Sequence, residues 1–548
     1  MVTLQRLLVN VCRTAMCLMV LSGTTTWGTA TEPPRPNIIV VLVDDMGFSD
    51  LGCYGGEIET PHVDALAQGG LRFTQFYNSG RCCPTRASLM TGLHPHQVGI
   101  GHMTAPHNQP LGIEGPYQGY LNDQCVTLAQ VLKSAQYHTL MTGKWHLGIE
   151  SSDEWPLQRG FDRYFGGLDG AFNYFQPSGG RGLTEGNQAV AVGDDEAFYT
   201  TDAFTDKACE FISEAADTDD RPFFLYLAYN APHWPLNVRW PEYQKYRGKY
   251  TAGWEALMRT RLAKQKSLGL WPEDVVPAPH VGPSWDSLTD KQHDDLDAIM
   301  AAYAGCIDAI DQNVGKLTQH LKQLGKWDNT LILFLSDNGA CQEGGILGEG
   351  SEEMVKNPPP GTAGVRQGLA WANASNTPFR LYKHFLHEGG ACTPLIAHWP
   401  TGIPEERNGT FTRQVAYLPD IMATCLELSG ASYPPHVPPY VGNSFLPLLS
   451  GTEQPIHTDP IYWEHEGNAA VRWGKWKLVR EYEQPWELYD IDADRTEMNN
   501  LAEQLPEQRD QLIGLWETWA TAHQVAFPKR FNMYEWLKEK KSQAKKSQ

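Results

Sequence analysis

Ile38-Ile39-Val40-Val41-Leu42-Val43-Asp44-Asp45 is an unbroken apolar, mostly β-branched run that stops abruptly at two carboxylates. Such a run, with no polar residue alternating along it, fits a strand buried on both faces, as in the middle of a parallel sheet. Leu331–Leu335 repeats the pattern and stops at Ser336-Asp337-Asn338-Gly339. Pro222–Tyr229 delivers Asn230-Ala231-Pro232-His233, and the shorter His138–Met141 delivers Gly143-Lys144-Trp145-His146. Helical patterns lie between these strands. Thr60-Pro61 reads as an N-cap and first turn opening a helix through Leu66. Ile299, Tyr303, Ile307, Ile310, Val314, Leu317 and Leu321 recur at helical spacing before a stop at Gly325. Alternation of strand and helix predicts an α/β fold with a mainly parallel sheet, whose ligand sits beyond the carboxyl ends of the strands.

The organisation changes after about Pro400. Pro and Gly become frequent, and strand-like runs follow closely at Pro460–Trp463, Ala469–Trp473, Trp476–Val479 and Glu487–Asp490, ahead of a final helix. Strands without intervening helices predict a small antiparallel sheet. The expected division is 31–400 for the main domain and 401–548 for a smaller C-terminal unit, its Lys-rich end solvated. At the other end, Arg6 and Arg13 precede the apolar stretch Ala15–Leu21 and then Gly28-Thr29-Ala30. That is the layout of a signal peptide over 1–30, implying export to a periplasm or beyond. The run is too short to span a bilayer, although an uncleaved anchor is the alternative reading.

The chain of 548 residues has 64 acidic against 44 basic residues, a net charge of -20. This argues against a nucleic-acid partner, which would need surplus Lys and Arg. It also means that any anion site must be locally basic. Of 11 cysteines, Cys12 and Cys17 fall in the expected signal, leaving an odd number whose scattered spacing fits neither a zinc site nor a disulfide scaffold. Cys82 and Cys83 are adjacent and poorly placed to pair with each other. At least one thiol is therefore expected to be free or consumed.

Asp44, Asp45, Asp337 and Asn338 offer oxygen donors only, which suits a hard cation, calcium or magnesium. The decisive motif is Cys82-Cys83-Pro84-Thr85-Arg86-Ala87-Ser88-Leu89-Met90-Thr91-Gly92. It resembles the C-x-P-x-R-x-x-x-x-T-G signature of formylglycine-dependent sulfatases. In that family the first cysteine is oxidised to an aldehyde by a formylglycine-generating enzyme. The resemblance extends from Pro36 to about Asn500 and is nearest to bacterial arylsulfatases, through Gly253-Trp254-Glu255, Arg259, Arg261, Thr377–His384 and Trp463–Asn468.

The resemblance implies an alkaline-phosphatase-like fold and hydrolysis of a sulfate monoester, aryl or carbohydrate. The hydrated aldehyde at Cys82 would carry one hydroxyl to attack sulfur and another to expel sulfate. Arg86 would stabilise the hydrate, Lys144 the sulfate charge, and His146 would hydrogen-bond the hydrate. His233 would protonate the leaving oxygen, Lys383 would bind sulfate as a second proton donor, and His384 would also contact substrate. Asp44, Asp45, Asp337, Asn338 and the modified Cys82 would hold the metal, calcium by family preference. One departure is Ala391-Cys392, where many relatives carry Ile-Arg. Trp145, Trp234 and Trp371 are candidate ring-binding residues, and Asn373 and Asn408 lie in glycosylation sequons. A phosphoesterase on the same scaffold and a non-catalytic anion-binding protein are the rival readings.

Overall fold

A computed structural model describes residues 35–104, 115–193 and 197–526. The expected signal peptide and the Lys-rich end lie outside these residues. The opening run forms β1 (Asn37–Val43), buried at every position. In chain order there follow β2 (Gly70–Tyr77), β3 (His138–Gly143), β4 (Arg163–Gly167), β5 (Leu183–Glu185), β6 (Gln188–Val190), β7 (Phe223–Ala228), β8 (Thr330–Ser336), β9 (Cys392–His398), β10 (Thr410–Thr412) and β11 (Ala416–Tyr417). They build an 11-stranded sheet ordered β10-β2-β9-β8-β1-β7-β3-β4-β5-β6, with β11 also on β2. Its centre, β8-β1-β7-β3, is parallel throughout. These are the four strands whose polar ends the sequence marks, and they are immediate neighbours.

Strand β1 is apolar on both sides because both faces of the sheet are covered. Ile39, Val41 and Val43 enter one core, which includes the buried stripe of the long helix Asp290–Gln323. Ile38, Val40 and Leu42 enter the other, with residues of the helices Cys82–Thr91, Leu128–Ser134 and Pro419–Ser429. Each such side chain contributes about 1.5–3 kcal/mol on burial, so β1 alone anchors both layers. The long helix begins earlier than its apolar stripe suggests, at Asp290, because Thr289 and Gln292 form a reciprocal capping box ahead of it. Thr60 does precede a helix, Pro61–Gln68, but does not cap it with its side chain. Its hydroxyl instead accepts from the Gly52 N–H (2.9 Å) and donates to Asp64 (3.1 Å).

The close-spaced runs near the C-terminus form β12 (Ile461–His465), β13 (Asn468–Trp473), β14 (Trp476–Arg480) and β15 (Glu487–Asp490), a four-stranded antiparallel sheet. One face packs on the helix Pro506–Ala522 through Ala469, Val471, Leu478, Leu488, Leu512 and Trp516. Trp463, Ala470, Val479 and Tyr489 on the other face join the core of the large sheet. A buried ion cluster bonds the two sheets: Lys477 lies 2.7 Å from Glu388 and 2.9 Å from Glu497, and Arg495 lies 2.6 Å from Glu388. Because β10 and β11 pair with β2, the expected boundary at residue 400 falls inside the large-sheet layer.

Among the described residues nine cysteines are free and buried. At Cys392, Arg495 reaches in from another segment, 3.6 Å from the sulfur. No helix of the described residues is long and apolar enough to cross a membrane. Asn373 is fully buried and its carbonyl accepts from the Val281 N–H, so that sequon cannot carry a glycan, whereas Asn408 is exposed.

Candidate active site

The carboxyl ends of the four central strands converge as the sequence predicts. Asp44 and Asp45 follow β1, and Asp45 adopts φ 72°, a left-handed conformation that is costly for a residue with a side chain. Its backbone N–H donates to Asp337 Oδ1 (3.2 Å), and its Oδ1 accepts from Asn338 Nδ2 (2.6 Å). Tyr303, which the sequence marks only as part of a helical stripe, donates to the Asp45 carbonyl (3.1 Å) or to Asp50 (2.7 Å). The strained turn is thus held from the long helix.

Three cations meet three carboxylates here, all buried. Lys144 Nζ lies 2.5 Å from Asp44 Oδ2, and Lys383 Nζ lies 2.7 Å from Asp45 Oδ1. Arg86 pairs with Asp337 at 2.9 Å and Asp44 at 3.7 Å, and donates to the Lys144 carbonyl at 2.9 Å. Three cations against three carboxylates leave the set without surplus positive charge, so a divalent cation held here would supply the positive charge that an anionic substrate needs. Burial and the neighbouring Asp337 push the Asp44 carboxyl up to about 7. Burial raises Asp45 too, but Lys383 and His233 outweigh it and hold that carboxyl at about 2. Asp44 Oδ1 and Asn338 Oδ1 are buried without a hydrogen-bond partner. Two orphaned oxygens among carboxylate and amide donors fit a hard cation, although His233 also lies within ligand distance of Asp44 and Asp45. Asp44, Asp45, Asp337 and Asn338 are therefore the residues that would hold it.

Cys82 is the first residue of the helix Cys82–Thr91, buried, with its helix N-terminus favouring negative charge. Its sulfur shares a cluster with Cys83 and His146, the donor atoms within 4.8 Å of one another. The Cys83 thiol, Lys144 and His146 hold the Cys82 thiol well below its usual range against the opposing effect of burial. His146 itself stands at φ 58°, and Gly170 packs under its ring. A Cβ at Gly170 would lie 2.3 Å from His146 Cε1, so any larger residue displaces the imidazole. His233 Nδ1 lies 2.7 Å from the Trp234 carbonyl, which fixes the ring proton on Nδ1 and leaves Nε2, 3.6 Å from Asp45, free to take one up. Burial keeps His233 below its ordinary range.

Cys82, Arg86, Lys144, His146, His233, Lys383 and the four metal-site candidates thus gather at one edge of the sheet. Arg86 is wholly buried, pairs with Asp337 and the Lys144 carbonyl, and also interacts electrostatically with Cys82, so it braces the metal-site residues from beside the nucleophile position. His384 stands at φ 87°, with its Nδ1 3.1 Å from Glu466 Oε2 and 3.4 Å from Arg81 Nη1. Of the candidate tryptophans, Trp145 and Trp371 are packed in the core, their N–H groups bound to Glu154 and Leu296 carbonyls. Trp234 alone remains beside the site, its ring 4.8 Å from that of His233, with Arg366 stacked 4.5 Å from it and its N–H bound to Glu343.

Comparison with known proteins agrees with this geometry. The Sulfatase family model matches residues 36–431, and the model described as N-sulphoglucosamine sulphohydrolase, C-terminal, matches 379–517. An uncharacterized sulfatase of Schizosaccharomyces pombe is 33% identical over 531 residues, covering 88% of this chain and 93% of its own. An arylsulfatase of Klebsiella aerogenes is 35% identical over 419 residues, covering 73% and 88%. The crystal structure of Ps i-CgsB in complex with k-i-k-neocarrahexaose superposes with a TM-score of 0.65 at 26% identity, covering 92% of this chain and 96% of that one. With a family model spanning most of its length and the matching strand-end chemistry in place, the chain belongs to the sulfatase family and is a sulfuric ester hydrolase.

Proposed function

We propose that Cys82 is the residue converted to formylglycine and that this chain hydrolyses aryl or carbohydrate sulfate monoesters through it. The observation that carries the reading is the position of Cys82, first in its helix and beside His146 and Lys144, next to the oxygen-only Asp/Asn set. The cysteine sulfur stands in for the hydrate oxygens. The hydrated aldehyde supplies a geminal pair of hydroxyls, one to attack sulfur and one to release sulfate.

The residues around it divide the remaining work. Asp44, Asp45, Asp337, Asn338 and the modified Cys82 would hold calcium, which would supply Lewis acidity toward a sulfate oxygen. Lys144 and Lys383 balance sulfate charge from a buried, water-poor position, where each interaction is stronger than at the surface. His146 holds a proton for the hydrate. His233 takes a proton on Nε2, the nitrogen its Trp234 bond leaves bare, and passes it to the leaving oxygen. Trp234 offers a ring face to the aglycone or sugar. An export signal at the N-terminus and maturation by a formylglycine-generating enzyme complete the proposal.

Turnover of 4-nitrophenyl sulfate and 4-nitrophenyl phosphate by protein co-expressed with that enzyme tests it. The sulfate ester is expected to be the better substrate, and Cys82→Ala to lower its kcat/KM by at least about a thousandfold. Phosphate preference, or full activity in Cys82→Ala, overturns the proposal.

A further inference from the structure

A second cluster of metal-ligating side chains lies beside Arg81, outside the sulfate pocket. His384, His465 and Glu466 place donor atoms within 4.8 Å of one another. They come from distant segments: His384 follows Lys383, while His465 ends β12 and Glu466 begins the two-residue turn into β13. His384 (φ 87°) and Glu466 (φ 49°) both hold left-handed backbones. Strain of this kind persists only where surroundings impose it, and it clusters at functional sites.

His465 is the group that calls for a ligand. Its side chain is fully buried and neither ring nitrogen has a hydrogen-bond partner; the nearest carboxylate oxygen, Glu466 Oε1, is 3.8 Å away. A buried imidazole left in that state is costly unless something else occupies its lone pair. Glu466 is already oriented: His102 Nε2 lies 3.0 Å from its Oε1 and His384 Nδ1 lies 3.1 Å from its Oε2. The Met103 N–H donates to His102 Nδ1 (2.6 Å), which leaves Nε2 as the nitrogen facing Glu466 Oε1. His102 therefore steers the carboxylate and is not itself a ligand. The positive charge of nearby Arg81 is offset by Glu343 at 3.2 Å.

We propose that His384, His465 and Glu466 form a second metal site, taking a divalent transition ion such as zinc, with a fourth position open to water or an exchangeable ligand. Two imidazoles and one carboxylate suit zinc, whereas the all-oxygen set around Asp45 suits a harder ion, so the two sites select different metals. An ion there joins the Lys383-His384 segment to the β12–β13 turn. It thereby fixes the loop that carries Lys383 toward Asp45. The proposal does not depend on the chemistry assigned to Cys82.

Cobalt(II) titration of the calcium-saturated full chain, followed by visible absorption, tests it. A Cys82→Ala background removes the thiol that would compete for cobalt. About one equivalent with intense tetrahedral bands, displaced by zinc, is expected. Glu466→Gln and His465→Ala are expected to abolish the bands, His102→Ala to weaken binding by about tenfold or more, and Asp337→Asn to leave them. Circular dichroism checks that each variant is folded, and His465→Gln replaces His465→Ala if the latter is not. Absence of tetrahedral bands in the parent, or bands that survive unchanged in folded Glu466→Gln and His465 variants, overturns the proposal.

Discussion

Replacing Lys477 with methionine removes one of two cations from the buried cluster that bonds the small sheet to the large one. Lys477, Glu388 and Glu497 have side chains no more than 1% exposed, and Arg495 is 9% exposed. Two carboxylates and two cations pair directly in the native cluster, with Arg472 adding positive charge beside Glu388. After Lys477→Met, Glu388 keeps Arg495 (2.6 Å) and the Tyr77 hydroxyl (3.1 Å), but Glu497 keeps only the Glu388 N–H (2.8 Å). One buried carboxylate is then left without a cation, which costs about 3–5 kcal/mol. Against a typical total stability of about 5–15 kcal/mol, that is a large fraction. Adding Glu497→Gln restores the charge balance and is expected to recover about 1–3 kcal/mol of the loss. Urea unfolding monitored by tryptophan fluorescence measures both, or thermal inactivation rates if refolding fails. A single variant within about 0.5 kcal/mol of the parent, or a double variant no better than the single, refutes the reasoning.

The same cluster is expected to show in acid. Arg495, Lys477 and Arg472 overcome burial and hold the Glu388 carboxyl at about 2 against an ordinary 4.5. A depressed carboxylate stabilises the fold above its unfolded value, and this contribution, on the order of 3 kcal/mol, is lost as pH falls from about 4.5 toward 2. Acid titration of Glu388→Gln is expected to be flatter over that window, and an identical profile would count against the assignment. At the active site, His233→Gln is expected to slow an alkyl sulfate by about a hundredfold or more and 4-nitrophenyl sulfate far less, since nitrophenolate leaves without a proton. Equal losses on both substrates would exclude His233 as the proton donor. Dialysis against a chelator is expected to abolish turnover, with calcium restoring it better than magnesium; full activity in metal-free protein contradicts the metal role.

Much of this architecture is legible in the chain because burial writes itself into composition. The unbroken run Ile38–Val43 can only be satisfied by cover on both faces, and the abrupt change to Asp44-Asp45 marks where the sheet ends. The same argument places Lys144, His233 and Asp337 at one edge before any strand order is known. The order itself is not legible: β9 pairs antiparallel with both β8, the preceding strand, and β2, whose partner residues lie hundreds of positions away in sequence. The partners of Arg86 and His384 are not legible for a related reason. A motif fixes which residues occur, while the direction of a side chain depends on partners such as Asp337 and Glu466 that come from elsewhere. Gly170 and Tyr303 support the site without a sequence signal, since a glycine beneath a ring and a tyrosine in a helical stripe look like ordinary packing.

Peptide mass spectrometry across Asn78–Met90, on protein co-expressed with a formylglycine-generating enzyme, tests the central claim most directly. The account predicts the mass of the aldehyde or its hydrate at Cys82, with Cys83 unchanged. An unmodified Cys82 in protein that nevertheless turns over sulfate esters, alongside full conversion of a control sulfatase, would contradict it.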